Sequence, residues 1–277
     1  MGNGGRSDVR KSILDDVGEI IDSALGLAGE KSLGKARHYR HRKSYQRLST
    51  APVVGFKGEA LIGAIYEKVK SNLTGRTPSG ENWRLTVNPA KKDEAKAKNR
   101  DRKLEVKLER RIIQLPGGWF NQVPTASGLV SNHSDKRGSI DLIQRCSDGS
   151  YEFIELKITS NNPLFAAMEI LQYGILYVLA RKNKQIRDAC NEKELLQAKT
   201  IHLKVLAPTA YYDGCKLSWL ENGINRGFKD FLKSQDLDLR MTFGFEEFPS
   251  CFEVKKDSFP EDDVIRKALS NRRSVYP

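Results

Sequence analysis

Apolar residues fall on helical and strand periods in turn along this chain. Residues 8–27 carry Ile13, Val17, Ile20, Ile21, Ala24 and Leu25 behind Ser7, a helical stripe with a plausible N-cap. Residues 57–73 repeat the pattern with Leu61, Ile65, Val69 and Leu73 four apart, and Gly75, Pro78 and Gly80 break it at a candidate boundary. From 91 to 115 the spacing of Leu104, Leu108, Ile112 and Leu115 predicts a long helix, ended by Pro116-Gly117-Gly118. Residues 163–181 are apolar nearly all round, with Pro163 near the first turn, which predicts a buried helix. Its polar exceptions are Glu169, Gln172, Tyr173 and Tyr177. Strand patterns cover 119–130 and 200–207, where Ile201, Leu203 and Val205 share a face. Trp83, Leu85 and Val87 suggest a short strand, 217–232 another helix and 237–248 another strand, and the acidic run Glu261, Asp262, Asp263 reads as a helix start.

The most informative stretch is 139–158, two short strands hinged at Asp148-Gly149. Ile140, Leu142, Ile143, Phe153, Ile154, Leu156 and Ile158 read as a pair buried on both faces, yet Asp141, Glu155 and Lys157 lie among them. Alternation puts Glu155 and Lys157 on one face. A two-residue turn would set Asp141 opposite Leu156, on the other face. A three-residue loop, Ser147-Asp148-Gly149 with Gly149 left-handed, sets Cys146 opposite Ser150, Ile143 opposite Phe153 and Asp141 opposite Glu155. We expect the three-residue loop.

Two neighbouring carboxylates repel unless a cation separates them. Hard oxygen ligands beside a lysine suit Mg²⁺ or Mn²⁺, which serve phosphoryl chemistry. A surface hairpin with a stray Glu155–Lys157 ion pair is the plainer alternative, but charges kept within a buried strand pair are usually paired or functional.

Charge extends this picture. The 277 residues carry a formal net charge of +12, which favours a polyanionic partner. Lys35, Arg37, Arg40, Arg42, Lys43 and Arg47 crowd one acid-free segment with Tyr39 and Tyr45, a composition suited to phosphate contacts and base stacking. A solvated basic linker is the alternative there. Residues 91–111 hold ten basic and five acidic side chains, enough for one helical face to follow a phosphate backbone. The four cysteines are dispersed with no CxxC pair, which reads as reduced thiols in a cytoplasmic protein. We expect no apolar run long enough for a membrane span, the stretch 170–180 being too short, and so no membrane partner. Neither a Gly-x-Ser-x-Gly nor a phosphate-binding glycine loop is present.

Asp141, thirteen intervening residues, then Glu155-Leu156-Lys157 resembles the PD-(D/E)xK nuclease superfamily, although Ile140 stands where the proline of the family's name belongs. The resemblance implies an α/β, restriction-endonuclease-like core of helix, three strands, helix and strand, a mixed sheet flanked by helices. The predicted elements follow that order from about 91 to 212. It implies a Mg²⁺-dependent nuclease in which Asp141, Glu155 and the carbonyl of Leu156 bind the metal and Lys157 assists the attacking water. The first core helix often supplies a further glutamate, for which Glu109 is the choice and Glu105 the rival. RecB-like members carry Gln-x-x-x-Tyr on the second helix, and Gln172 is the nearest equivalent here, although Tyr177 is five residues on. The expected partition is a mainly helical N-terminal extension over 1–90, the nuclease core over 91–250 and a tail over 251–277. Lys35, Arg37, Arg40, Arg42 and Lys43 would bind nucleic acid, DNA ahead of RNA, and a second copy of the chain is a further candidate partner. The competing reading is a non-catalytic nucleic-acid-binding or structural protein that retains the fold.

Overall fold

The computed structural model describes residues 12–28, 31–32, 35–36, 38–87, 100–126, 129–130, 138–159 and 162–277. In chain order its helices are α1 (Val17–Ala24), α2 (Arg42–Thr50), α3 (Gly58–Leu73), α4 (Arg100–Ile112), α5 (Pro163–Lys182), α6 (Lys184–Ala189), α7 (Ser218–Ser234) and α8 (Asp262–Ser270). Strands β1 (Lys31–Ser32) and β2 (Lys35–Ala36) form a separate pair. Six others, β3 (Trp119–Pro124), β4 (Ser139–Arg145), β5 (Tyr151–Leu156), β6 (Thr200–Ala207), β7 (Arg240–Glu247) and β8 (Arg273–Ser274), make one mixed sheet in sequential order. Pairing is antiparallel from β3 to β5, parallel from β5 to β7 and antiparallel again at β8.

The alternation of β5 shows how the sheet is covered. Every residue of β5 is buried. Tyr151 and Phe153 join the larger hydrophobic cluster with α1, α3, α5 and α7, while Ile154 and Leu156 join a smaller one with Leu108 and Ile112 of α4 and Ile265 and Leu269 of α8. Helices on both faces explain why the strand sequence is apolar on both parities.

Helix α5 is set by local chemistry at its start. Asn162 Oδ1 accepts the Leu164 N–H at 2.9 Å, and Pro163 occupies the first turn. The helix has 20 residues, and by length and composition it is long enough to cross a membrane. That corrects the sequence estimate, which measured only the run 170–180. In the structure 89% of its most apolar window is buried inside the protein. At about 2 kcal/mol for each large apolar side chain removed from water, this face of the sheet is the main source of core stability. Gly174 lets it approach closely, since a Cβ there would meet Leu203 Cδ1 at 2.5 Å.

Residues 12–87 share the larger cluster with the sheet, so packing is continuous across position 90. Helix α3 lies on α7 with no side chain between them at one point, where a Cβ on Gly58 would sit 1.9 Å from the carbonyl oxygen of Gly223. The segment 251–277 likewise contributes α8 to the smaller cluster and β8 to the sheet edge.

Several elements differ from their sequence patterns. The basic segment is not a linker: Tyr39 is 1% exposed and residues from Arg42 form α2. Strand β3 stops at Pro124 instead of reaching Val130, with one further bond to the β4 side from Thr125 N–H to Gly138 O at 2.9 Å. Residues 84–87 are not a strand, although Thr86 accepts the Asn121 N–H at 3.2 Å and Trp83 N–H donates to Pro124 at 2.8 Å. Helix α1 begins at Val17, with a turn over 13–16. Residues 8–11 and 91–99 of the expected helices lie outside the described residues.

Candidate functional site

The β4–β5 loop has three residues. Cys146 N–H donates to Ser150 O at 2.9 Å, Gly149 N–H donates to Cys146 O at 3.1 Å, and Gly149 is left-handed at φ 79°. Asp148 Oδ1 steadies the turn by accepting from Ser150 N and Oγ at 2.9 and 2.6 Å. Beyond the loop, Ile143 faces Phe153 and Leu142 faces Ile154. The same register carried one step further sets Asp141 opposite Glu155.

On its other side Asp141 lies across from Gln122, whose φ of 49° is left-handed in the middle of β3. Trp119 belongs to the α4-side cluster and Val123 to the α5-side cluster, although a regular strand would keep both on one face. Leu142 and Ile140 differ in the same way. The face of the ribbon therefore switches at Gln122 and Asp141. A non-glycine residue held there in a sparsely populated conformation marks a point the surroundings over-determine.

Three carboxylates gather around one ammonium. Lys157 Nζ donates to Glu155 Oε1 and lies 3.8 Å from Glu169 Oε2 and 4.0 Å from Asp141 Oδ2. Asp141 Oδ2 also accepts the Leu156 N–H at 3.1 Å. Glu155 and Lys157 are 3% and 6% exposed, whereas the Asp141 side chain, at 24%, reaches the surface. Burial and then the charge of Asp141 push the Glu155 carboxyl well above its usual range. Burial alone would lower Lys157, but Glu155, Asp141 and Glu169 outweigh it and hold the amine well above its ordinary value. Lys157 is thus a fixed cation at neutral pH and a hydrogen-bond donor.

Helix α4 adds two more acids. Glu109, 5% exposed, accepts from Asn121 Nδ2 at 2.7 Å and from Gln122 Nε2 at 3.0 Å. Burial and then the charge of Asp141 raise its pKa to about 8. Glu105 Oε1 instead accepts the Ile158 N–H at 2.9 Å, tying α4 to the end of β5. Of the two candidates from this helix, Glu109 responds to Asp141.

Gln172 does not join the cluster. Its Nε2 donates to Met168 O at 2.8 Å within α5, as a satisfied core glutamine does. The helix brings Glu169 instead, raised by burial and pulled down chiefly by Lys157. Glu169 and Tyr173 have the spacing of the Gln-x-x-x-Tyr motif, but glutamate stands in place of its glutamine; Glu169 is the only acidic residue of α5. Asn121 and Gln122, which hold Glu109, carried no sequence signal because amides in an edge strand are commonplace.

The basic segment borders this cluster. Tyr39 stacks on Phe165 at 5.9 Å between centroids and Tyr45 tilts against it at 6.0 Å, one turn before Glu169 on α5. Arg40 is exposed, donates Nε–H to Tyr39 Oη at 2.9 Å and helps hold Glu169 down. Arg42 and Lys43 lie exposed on the first turn of α2. Arg37 and the side chain of Lys35 lie outside the described residues.

Asp141, Glu155 and Glu169 thus stand within 4.0 Å of one lysine, and Glu109 joins the group through the charge of Asp141. Among the described residues, no three His, Cys, Asp or Glu side chains are gathered at metal-ligating distances, and the Lys157 ammonium occupies the middle of the group. The donor set itself fits a hard divalent cation, being all oxygen and short of positive charge. Compared with protein-family models, curated proteins and solved structures, the chain matches none.

Proposed function

We propose that this protein is a divalent-metal-dependent nuclease of the PD-(D/E)xK type that hydrolyses phosphodiester bonds, DNA before RNA. The observation that carries the reading is the meeting of Asp141, Glu155 and Lys157 around one point through the three-residue loop register. The succession α4, β3, β4, β5, α5, β6 supports a restriction-endonuclease-like core, since it repeats that superfamily's helix, three strands, helix and strand.

In this reading Asp141, Glu155 and the Leu156 carbonyl hold Mg²⁺ or Mn²⁺. When bound, such a cation polarises the phosphoryl group, acidifies water and offsets charge on the leaving oxygen. Lys157 remains protonated beside Glu155, so its Nζ–H groups orient the attacking water by its lone pair and stabilise charge growing on the phosphoryl oxygens. Glu109 steadies the neighbouring backbone of β3 through Asn121 and Gln122. Arg40, Arg42 and Lys43 supply the cations that grip the polyanionic backbone.

The test is cleavage of single- and double-stranded DNA and RNA with Mg²⁺, Mn²⁺ or EDTA. Cutting is expected with either metal and not with EDTA, and Lys157→Ala should reduce it by about 10³-fold or more while binding measured by anisotropy persists. Binding without cleavage by the unmodified protein would favour the non-catalytic alternative, and full cleavage by Lys157→Ala would remove the role given to that lysine.

A further inference from the structure

The two helices that face the cluster offer different carboxylates. Both oxygens of Glu109 are already engaged by amide N–H groups, from Asn121 at 2.7 Å and Gln122 at 3.0 Å. Glu169 differs. Its Oε2 is buried, accepts no hydrogen bond, and points at the same ammonium that Glu155 and Asp141 share, 3.8 Å away. A carboxylate oxygen withdrawn from water without a donor is costly, and such groups generally mark a missing partner. A second buried atom without a partner belongs to the same neighbourhood. The Tyr211 hydroxyl, in the turn after β6, lies where Lys157, Glu105, Glu155 and Glu169 all act on it.

Resting on the nuclease reading above, we infer that Glu169 on α5 supplies the third carboxylate of the cation site, and that Glu109 on α4 is a positioning residue acting through Asn121 and Gln122. Three carboxylates from β4, β5 and α5 would then surround the ion, so that the site is closed by the helix that follows the hairpin. The same placement puts the ion beside the Tyr39–Arg40 corner, because Phe165, on which Tyr39 stacks, lies one turn before Glu169. A phosphate held by Arg40 would therefore approach from the α5 side.

The experiment is Mn²⁺ binding to the full chain by calorimetry, without nucleic acid. Glu169→Gln should weaken binding as much as Asp141→Asn does, and by more than the roughly 10–100-fold loss expected of Glu109→Gln as an outer residue. Glu169→Cys gives a readout that a structural role would not move. A thiolate at a ligand position should bind Cd²⁺ tightly and show a sulfur-to-cadmium absorption band in the ultraviolet, beyond any given by the native cysteines and absent from Glu109→Cys. Unchanged Mn²⁺ affinity in Glu169→Gln, with affinity lost in Asp141→Asn, would overturn the inference and leave the nuclease reading standing. No Mn²⁺ uptake by the unmodified protein would overturn both.

Discussion

Strand β5 carries buried charge on each of its faces, and the two faces resolve it in opposite ways. Toward α8, Lys204 lies 2.5 Å from both Glu152 and Glu246, and Arg272 lies 3.0 and 3.4 Å from the same two acids. Two bases meet two acids. Burial works against the Glu152 carboxylate, but Arg272 and then Lys204 hold it below its ordinary range. Toward α5, Lys157 is the one base among the described residues within 4.0 Å of Asp141, Glu155 and Glu169, with Arg40 acting on Glu169 from farther off, and the two glutamates are pushed up instead of down. The first group is balanced in charge, although Glu246 Oε2, 3.4 Å from Arg272, is buried and accepts no hydrogen bond. The second is short of cations, and that imbalance separates a place for a ligand from a place for an ion pair.

The comparison can be broken most forcefully by removing one lysine from each face. In EDTA, Lys157→Met should cost about 3–5 kcal/mol in chemical denaturation, because it strands buried acids without a cation. Lys204→Met leaves Arg272 in place and should cost less, about 1–3 kcal/mol. Equal losses would mean that the two groups do not differ as described.

The pH windows sharpen the contrast further. Glu109 is lifted from 4.5 to about 8, so its folded form keeps a proton that the unfolded chain has lost. Its contribution is present below 4.5 and disappears as pH rises through about 8. Glu152 is lowered, so its contribution is present above the ordinary carboxyl value and disappears as pH falls below it. Denaturation in EDTA should therefore show stability falling from pH 5 to 8 by on the order of 3 kcal/mol. Glu109→Gln should make that limb shallower, with Glu155 and Glu169 keeping the rest, and Glu152→Gln should change only the acid one. A level profile between pH 5 and 8 would contradict the imbalance.

The smallest effect belongs to the loop that sets the register for both faces. Gly149→Ala, at φ 79°, should cost about 1 kcal/mol in thermal or chemical denaturation. No loss would mean that the loop is less constrained than its hydrogen bonds imply.

What sequence could reveal follows from the range of the forces involved. Parity along a strand and the φ of one glycine are local, so the register of β4 and β5, and with it the meeting of Asp141 with Glu155, was legible in Asp148-Gly149 and the apolar alternation. The buried character of α5 was legible for the same reason. Which face of α5 meets β5 is decided by packing, so the sequence favours Gln172 over Glu169, and only tertiary contacts reverse that order. The change of face at Gln122 depends on a backbone conformation that glutamine does not advertise. Residues 273–274 gave no strand pattern because β8 is two residues long and owes its place to β7.

The length and apolarity of α5 have a consequence for how the chain is made. Its close neighbours include β6 and β7, whose Leu203 and Met241 press on Gly174, and both are synthesised after it. While those strands are still being translated, this long apolar helix has only earlier segments to pack against. The side of α5 that Leu203 and Met241 cover is therefore the last to be buried as the polypeptide emerges.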